Sequence, residues 1–284
     1  MQIESFFDER TSTLTHVVFN EATCDAVIID PVLDYEPASG RVWTESVERV
    51  AAFVEARKLE VHFVLETHAH ADHLSGSQWL KRRFGGQVAV GHRITEVQEV
   101  FKDVFSWPDF PADGRQFDRL LEDDELVRAG SLVLRVIPTP GHTPACVSYQ
   151  VGDAVFTGDA LFLDDVGVGR CDFPRGDAGA LYDSVAGRLF TLPESTRLFV
   201  GHDYPPAGRA WKASTTVGEA KRSNVQLSVA SHREDFVTRR NARDRTLSVP
   251  RLLYPSLQVN IAAGQLPAPE PSGRGFLKIP ISGL

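Results

Sequence analysis

Short apolar runs alternate along this chain with longer stretches in which apolar positions recur every three or four residues. The segment THVVFNEATCDAVIID (15–30) reads as two strands joined by a polar turn. TESVERVAAFVEARKL (44–59) puts Val47, Val50, Ala51 and Val54 on one helical face, with Thr44 as candidate N-cap. VHFVLE (61–66) is a predicted strand that stops at a cluster of histidines, and SQWLKRRF (77–84) and TEVQEVFKDVF (95–105) are predicted helices. SWPDFPADGRQFD (106–118), with two prolines and a glycine, is a predicted loop. A second block of strands follows at LVLRVI (132–137), ACVSYQV (145–151) and AVFTG (154–158). After it come a helical segment, AGALYDSVAGRLFTL (178–192), and the strand RLFVG (197–201). The tail PAPEPSGRG (267–275) is expected to be a surface loop before a last short strand, FLKIPI (276–281). Strands accompanied by helices in both halves predict an α/β protein in which two sheets are covered by helices, an αββα sandwich. Nothing along the chain has the composition of a linker, so residues 1–284 are expected to form a single domain.

The polar residues that interrupt this pattern are not scattered. LETHAHADHLSG (65–76) sets His68, His70, Asp72 and His73 just beyond the strand VHFVLE. His142 follows LVLRVIP, Asp159 follows AVFTG, and His202 follows RLFVG, so each caps a separate apolar strand. In layered α/β folds, strand ends and their loops are where sites are assembled. Taken singly, each has a plainer reading: a hydrogen-bonded histidine, a turn residue after Gly158, or, for Asp72, the cap of a helix starting near His73. Seven such groups, four of them within six positions, point instead to a metal site. His16, His62, His92 and His232 have no such company and are assigned structural roles, as are Cys24 in the hairpin turn and Cys146 inside a strand.

Composition narrows the class. A formal net charge of −8 argues against a nucleic-acid surface. No long apolar run suits a membrane span, and the start MQIESFFDERTST lacks the basic and apolar regions of a signal peptide. Three cysteines make no disulfide framework, and a reduced cytoplasm is the simplest expected compartment. No GxGxxG fingerprint of a nicotinamide or flavin site is present.

The pattern H-x-H-x-D-H at His68 to His73, together with TPGHT, TGD and GHD around His142, Asp159 and His202, resembles the metallo-β-lactamase superfamily. That resemblance implies an αββα sandwich with its site at one edge between the sheets. The segment FTGDALFLDDVGVGRCDFPRGDAGALYDSV (156–185) and HDYPPAG (202–208) are similar to the persulfide dioxygenases, and DPVLDYEPASGRV, GHTPACVSY and PSLQVNIAAGQLP to bacterial β-lactamase-hydrolase-like proteins. Relatives commonly read GRTDF where this chain has GRCDF, with Cys171. The resemblance implies oxidation of glutathione persulfide by O2 to sulfite and glutathione. It further implies one Fe(II) per chain held by His68, His142 and Asp159, with no organic cofactor, His70, Asp72, His73 and His202 around it, and a homodimer. Two imidazoles and one carboxylate are the donor set of non-haem Fe(II) oxygenases. Arg170 in GRCDF, Tyr204 in GHDY and Lys221 in GEAKRSN are the expected substrate contacts, with a salt bridge to Asp172 or Asp177 the alternative for Arg170. Cys171 is expected to be a tolerated small side chain rather than a sulfur-exchanging thiol. The competing reading is a two-metal thioester hydrolase of the glyoxalase II type, against which stand GRCDF and a tail (255–281) with a non-helical composition. A non-catalytic sensor would need a DNA-binding or partner module, and none is visible in the sequence.

Overall fold

The computed structural model describes residues 1–205 and 208–281. In chain order it contains β1 (Gln2–Asp8), β2 (Thr13–Phe19), β3 (Asp25–Ile29), β4 (Val32–Glu36), β5 (Arg41–Trp43), α1 (Glu45–Arg57), β6 (Glu60–Glu66), β7 (Leu74–Ser75), α2 (Ser77–Phe84), β8 (Gln87–Gly91) and α3 (Ile94–Val104). There follow β9 (Arg119–Leu121), β10 (Leu126–Ala129), β11 (Leu132–Pro138), β12 (Val147–Val151), β13 (Ala154–Phe156) and α4 (Ala178–Ser184), which continues as a π-helical turn, Val185–Leu189. The chain then forms β14 (Arg197–Phe199), β15 (Ser214–Thr216), α5 (Val217–Ser223), α6 (Arg233–Asp244) and α7 (Leu253–Asn260).

Two six-stranded sheets result, ordered β1-β2-β3-β6-β8-β9 and β10-β11-β12-β13-β14-β15, with a small third sheet β5-β4-β7. Strand alternation explains the layering. Val17, Phe19, Ala26 and Ile28 turn outward onto α1, α2 and α3. Their neighbours Val18, Val27 and Ile29 turn inward to meet Leu134, Val136, Tyr149 and Phe156 of the second sheet. On the far side Ile137, Val155 and Leu198 are covered by Leu181, Leu189, Val217 and Phe236 from the helices that follow. Strands buried on both faces read as continuous apolar runs, and the sequence shows such runs. The expected αββα sandwich is the observed architecture.

Three local expectations are corrected and one alternative, the Asp72 cap, is excluded. Thr44 stands at the N-cap of α1, but its side chain makes no capping bond; the Ser46 N–H is bonded by Asp34 Oδ2 at 2.8 Å instead. No helix starts at His73, so Asp72 caps nothing; β7 intervenes and α2 begins at Ser77. FLKIPI is not a strand: the N–H and C=O of Lys278 bond the side-chain amide of Gln258 at 2.7 Å each, and Pro280 has no N–H to offer a ladder. PSLQVN, expected to be non-helical, lies in α7, where Leu257 and Val259 are fully buried. Pro255 falls in the first turn of that helix, where an N–H has no intrahelical partner to lose.

Candidate metal centre

The ends of β6, β11, β13 and β14 meet at one edge of the sandwich, each delivering a polar residue. Gly158 permits the approach of β13 to β6: its φ is +49°, and a Cβ there would sit 2.5 Å from Thr67 Oγ1. Among the described residues, His68, His142 and Asp159 bring three ligand atoms within 4.8 Å of one another, and His70, Asp72 and His202 form a second trio of the same tightness. Asp159 spans both. Its Oδ2 lies 3.5 Å from His142 Nε2 and 3.9 Å from His68 Nε2, while its Oδ1 lies 3.3 Å from His202 Nε2. His73 completes the cluster, its ring centroid 4.3 Å from that of His70.

Hydrogen bonds fix which nitrogen of each ring is free. His142 Nδ1 faces the Arg170 carbonyl at 2.6 Å; a carbonyl only accepts, so Nδ1 carries the proton and Nε2 its lone pair. His202 Nδ1 donates in the same way to Ser12 O at 3.2 Å. Thr67 donates its hydroxyl to Asp30 Oδ2 at 2.8 Å and accepts from His68 Nδ1 at 3.0 Å, which frees His68 Nε2. Buried behind this row, Asp30 Oδ1 is 3.0 Å from His70 Nε2 and Glu66 Oε2 is 3.6 Å from it. Asn260 of α7 ties the histidine loop down from outside: its amide donates to the carbonyls of His70 and His73 at 2.8 Å each and accepts the Ser75 N–H at 2.8 Å.

The arrangement fits a cation. His68 Nε2, both nitrogens of His70, His73 Nε2, Asp159 Oδ1 and His202 Nε2 are buried without a hydrogen-bond partner. Six unsatisfied polar atoms in one place would be costly unless another group meets them. Burial holds the pKa of His68 and His70 well below the ordinary value, so both are neutral imidazoles, the ligating form. Burial opposes the charge on Asp72, yet His202 and His73 outweigh it and keep the carboxyl well below the usual range. Burial likewise opposes a proton on His202, but Asp72 and Asp159 raise its pKa above the ordinary value. At Glu66, burial and the nearby Asp30 push the carboxyl up to about 8.

A cleft of about 430 Å³ opens onto Asp72, His142 and Asp159. Arg170 and Tyr204 line it, Tyr204 half exposed and stacked on His202 with centroids 5.6 Å apart. The Arg170 fork is nonetheless engaged within the protein, donating to both oxygens of Asp172 at 2.6 and 2.7 Å and to Ser248 O at 2.8 Å. Asp172 stands two residues away on the same loop, and the internal salt bridge weighed against a substrate clamp is the contact formed. Lys221 lies on α5 and is not among the residues lining this cleft; its ammonium is 4.0 Å from Glu194. Sequence reasoning missed Arg10, Arg243 and Arg251, which line the cleft; the Arg10 guanidinium is engaged within the protein, donating to Glu45 at 2.8 Å and Asp34 at 3.4 Å. Also missed were Asp30, Glu66 and Asn260; acidic residues inside or at the ends of the apolar runs AVIID and VHFVLE were the one available signal. Cys146 and Cys171 are buried free thiols, and burial pushes both pKa values up, Cys146 to about 12.

Residues 15–202 match the family model of the metallo-β-lactamase superfamily, and the chain belongs to that superfamily. It is 45% identical, over the whole length of both chains, to a probable metallo-hydrolase of Burkholderia pseudomallei. It is 43% identical to glyoxylase B2 of Dictyostelium discoideum, covering all of this chain and 98% of that one. The mitochondrial persulfide dioxygenase ETHE1 of Homo sapiens is 32% identical over 83% of this chain and 78% of its own. The crystal structure of ETHE1 from Myxococcus xanthus superposes with a TM-score of 0.73 at 35% identity, over 93% of this chain and all of that one. The chain spans 65% of the length of the β-lactamase hydrolase-like proteins it also matches. No helix among the described residues is long and apolar enough to cross a membrane.

Proposed function

We propose that this chain is an iron-dependent persulfide dioxygenase that oxidises glutathione persulfide with O2 to sulfite and glutathione. The observation that carries the reading is the trio of His68, His142 and Asp159, two imidazoles and one carboxylate at the foot of an open cleft. Fe(II) held there would offer coordination positions for a persulfide sulfur and for O2, and a redox-active centre through which O2 takes electrons from the sulfur, with water supplying the third oxygen of sulfite. The chain's own residues do the rest. Thr67 and the Arg170 carbonyl fix the two imidazoles with Nε2 forward. Phe162, Val166, Val168 and Leu252 give the cleft apolar walls that limit water. Arg243 and Arg251 line the cleft and supply positive charge where an anionic thiol must enter an acidic protein. His70, Asp72, His73 and His202 orient the ligands and the reactants, and the Tyr204 hydroxyl is a donor toward the substrate. A cytoplasmic homodimer is part of the same reading.

A second reading is favoured by specific observations. His70, Asp72 and His202 form another trio that shares Asp159, and α6 and its following loop line the cleft. Both suit a two-metal thioester hydrolase of the glyoxalase II type. One experiment separates the two: metal analysis after anaerobic purification, followed by O2 uptake with glutathione persulfide and hydrolysis of a glutathione thioester. About one iron per chain with O2 uptake supports the dioxygenase; two zincs with thioester hydrolysis would replace it. Within the first reading, Asp159→Ala loses most of the iron, whereas Asp72→Ala loses activity and keeps more metal. Equal iron loss in both variants refutes the assignment of ligands.

A further inference from the structure

The peptide group between Arg170 and Cys171 is hydrogen-bonded at both ends. Its carbonyl accepts from His142 Nδ1 at 2.6 Å, and its N–H donates to Asp244 Oδ2 at 2.9 Å. Asp244, the last residue of α6, is 3% exposed, and its other oxygen is bonded by the guanidinium of Arg240, one helical turn earlier and also 3% exposed. Arg240 also donates to Gln226 Oε1 at 2.6 Å and to Val168 O at 3.4 Å, gripping the same loop two residues before Arg170.

A buried ion pair is weak grounds for stability, because apolar residues of similar volume commonly do as well. This pair has a different consequence. A carboxylate at the N–H end of a peptide polarises it and makes the carbonyl at the other end a stronger acceptor. That carbonyl holds the Nδ1 proton of His142, and a stronger acceptor there fixes the ring and raises the basicity of Nε2. Carboxylates that bond a ligand histidine directly are a familiar arrangement; here one peptide bond stands between them. We infer that Asp244 is a positioning residue for His142, acting through the Arg170–Cys171 peptide, and that Arg240 holds the Asp244 carboxylate in place. The inference rests on His142 being a metal ligand, as proposed above.

Cobalt(II) titration of the metal-free 284-residue chain, followed by visible absorption, tests this without any assay of turnover. Arg240→Met/Asp244→Leu replaces both charges together, so no orphan charge is left to unfold the protein. Circular dichroism and thermal melting establish that the variant is folded. The expected result is a folded protein whose cobalt affinity is weaker by about tenfold or more, with an altered d–d spectrum. Arg240→Met/Asp244→Asn keeps an acceptor for the Cys171 N–H without the charge, leaves no orphan charge, and is expected to recover part of the affinity. A folded double variant with unchanged affinity and spectrum overturns the inference. So does failure of the Asn variant to recover, since the loss would then follow packing and not the hydrogen bond. His142→Ala is the control: if it binds cobalt as well as the parent, the ligand assignment falls first and the inference with it.

Discussion

His16 offers a measurement of how tightly the two sheets are latched beside the metal centre. It lies in β2, fully buried, with its ring 5.2 Å from Phe156 and 5.6 Å from Phe199 of the second sheet. Nε2 donates to the carbonyl of Val200 at 3.0 Å, two residues before His202, and Nδ1 bonds Ser5 Oγ at 2.9 Å. Burial lowers its pKa from 6.5 to about 4, the bond to Val200 only partly opposing the shift. The unfolded chain therefore binds the proton more readily than the native protein between these two values. Native stability is full above about pH 6.5 and falls as pH drops toward 4. A difference of about 2.5 units at roughly 1.4 kcal/mol each limits the effect to about 3 kcal/mol, a large share of a total that is usually about 5–15 kcal/mol. His16→Gln keeps an amide donor for Val200 and cannot titrate in this range. Urea unfolding of metal-free parent and variant from pH 7 to pH 4 reads the term directly. The titrations of the metal-site histidines are common to both proteins and cancel in the difference. The expected outcome is a difference in unfolding free energy that shifts by about 3 kcal/mol over the window, the parent losing more. Two curves that stay parallel would show that His16 is not held neutral by burial, and the reasoning would fail.

Three further outcomes are expected. Cys171→Thr keeps activity within about tenfold, roughly 1.4 kcal/mol of barrier, and Cys24, partly exposed, is alkylated before Cys146 and Cys171; a larger loss, or early labelling of Cys171, would give that thiol a role. Charge reversal at the cleft mouth, Arg243→Glu with Arg251→Glu, raises KM for glutathione persulfide by about tenfold at low salt and less at high salt, with metal content unchanged; an unaltered KM removes these residues from substrate capture. Gly158→Ala meets both a positive φ and the Thr67 hydroxyl 2.5 Å from its new Cβ, so unfolding by denaturant is expected to show a loss of about 2 kcal/mol or more, with weakened metal binding; a neutral result would mean that β13 and β6 can separate freely.

The sequence by itself determined the layers and the cluster. Runs such as TLTHVVF and DAVII, apolar on both faces, can only be strands covered on both sides. A polar group at the end of each such run is visible as a break in the pattern. His68, His142, Asp159 and His202 were legible for that reason, although 134 residues separate the first from the last. What the sequence could not determine was pairing between side chains distant along the chain or free to turn either way. Whether Arg170 reaches outward to a ligand or inward to Asp172 depends on the loop's backbone path. The placing of Lys221 beside Glu194 depends on how α5 is rotated against its sheet. The C-terminal segment was misread because local composition outvoted burial: Pro255 and the flanking glycines suggest a loop, while docking of Leu257 and Val259 into the core makes α7 a helix. That helix then brings Asn260 to the carbonyls of His70 and His73, 190 and 187 residues earlier in the chain. Such contacts carry no periodicity and no motif, so only the packed tertiary structure decides them.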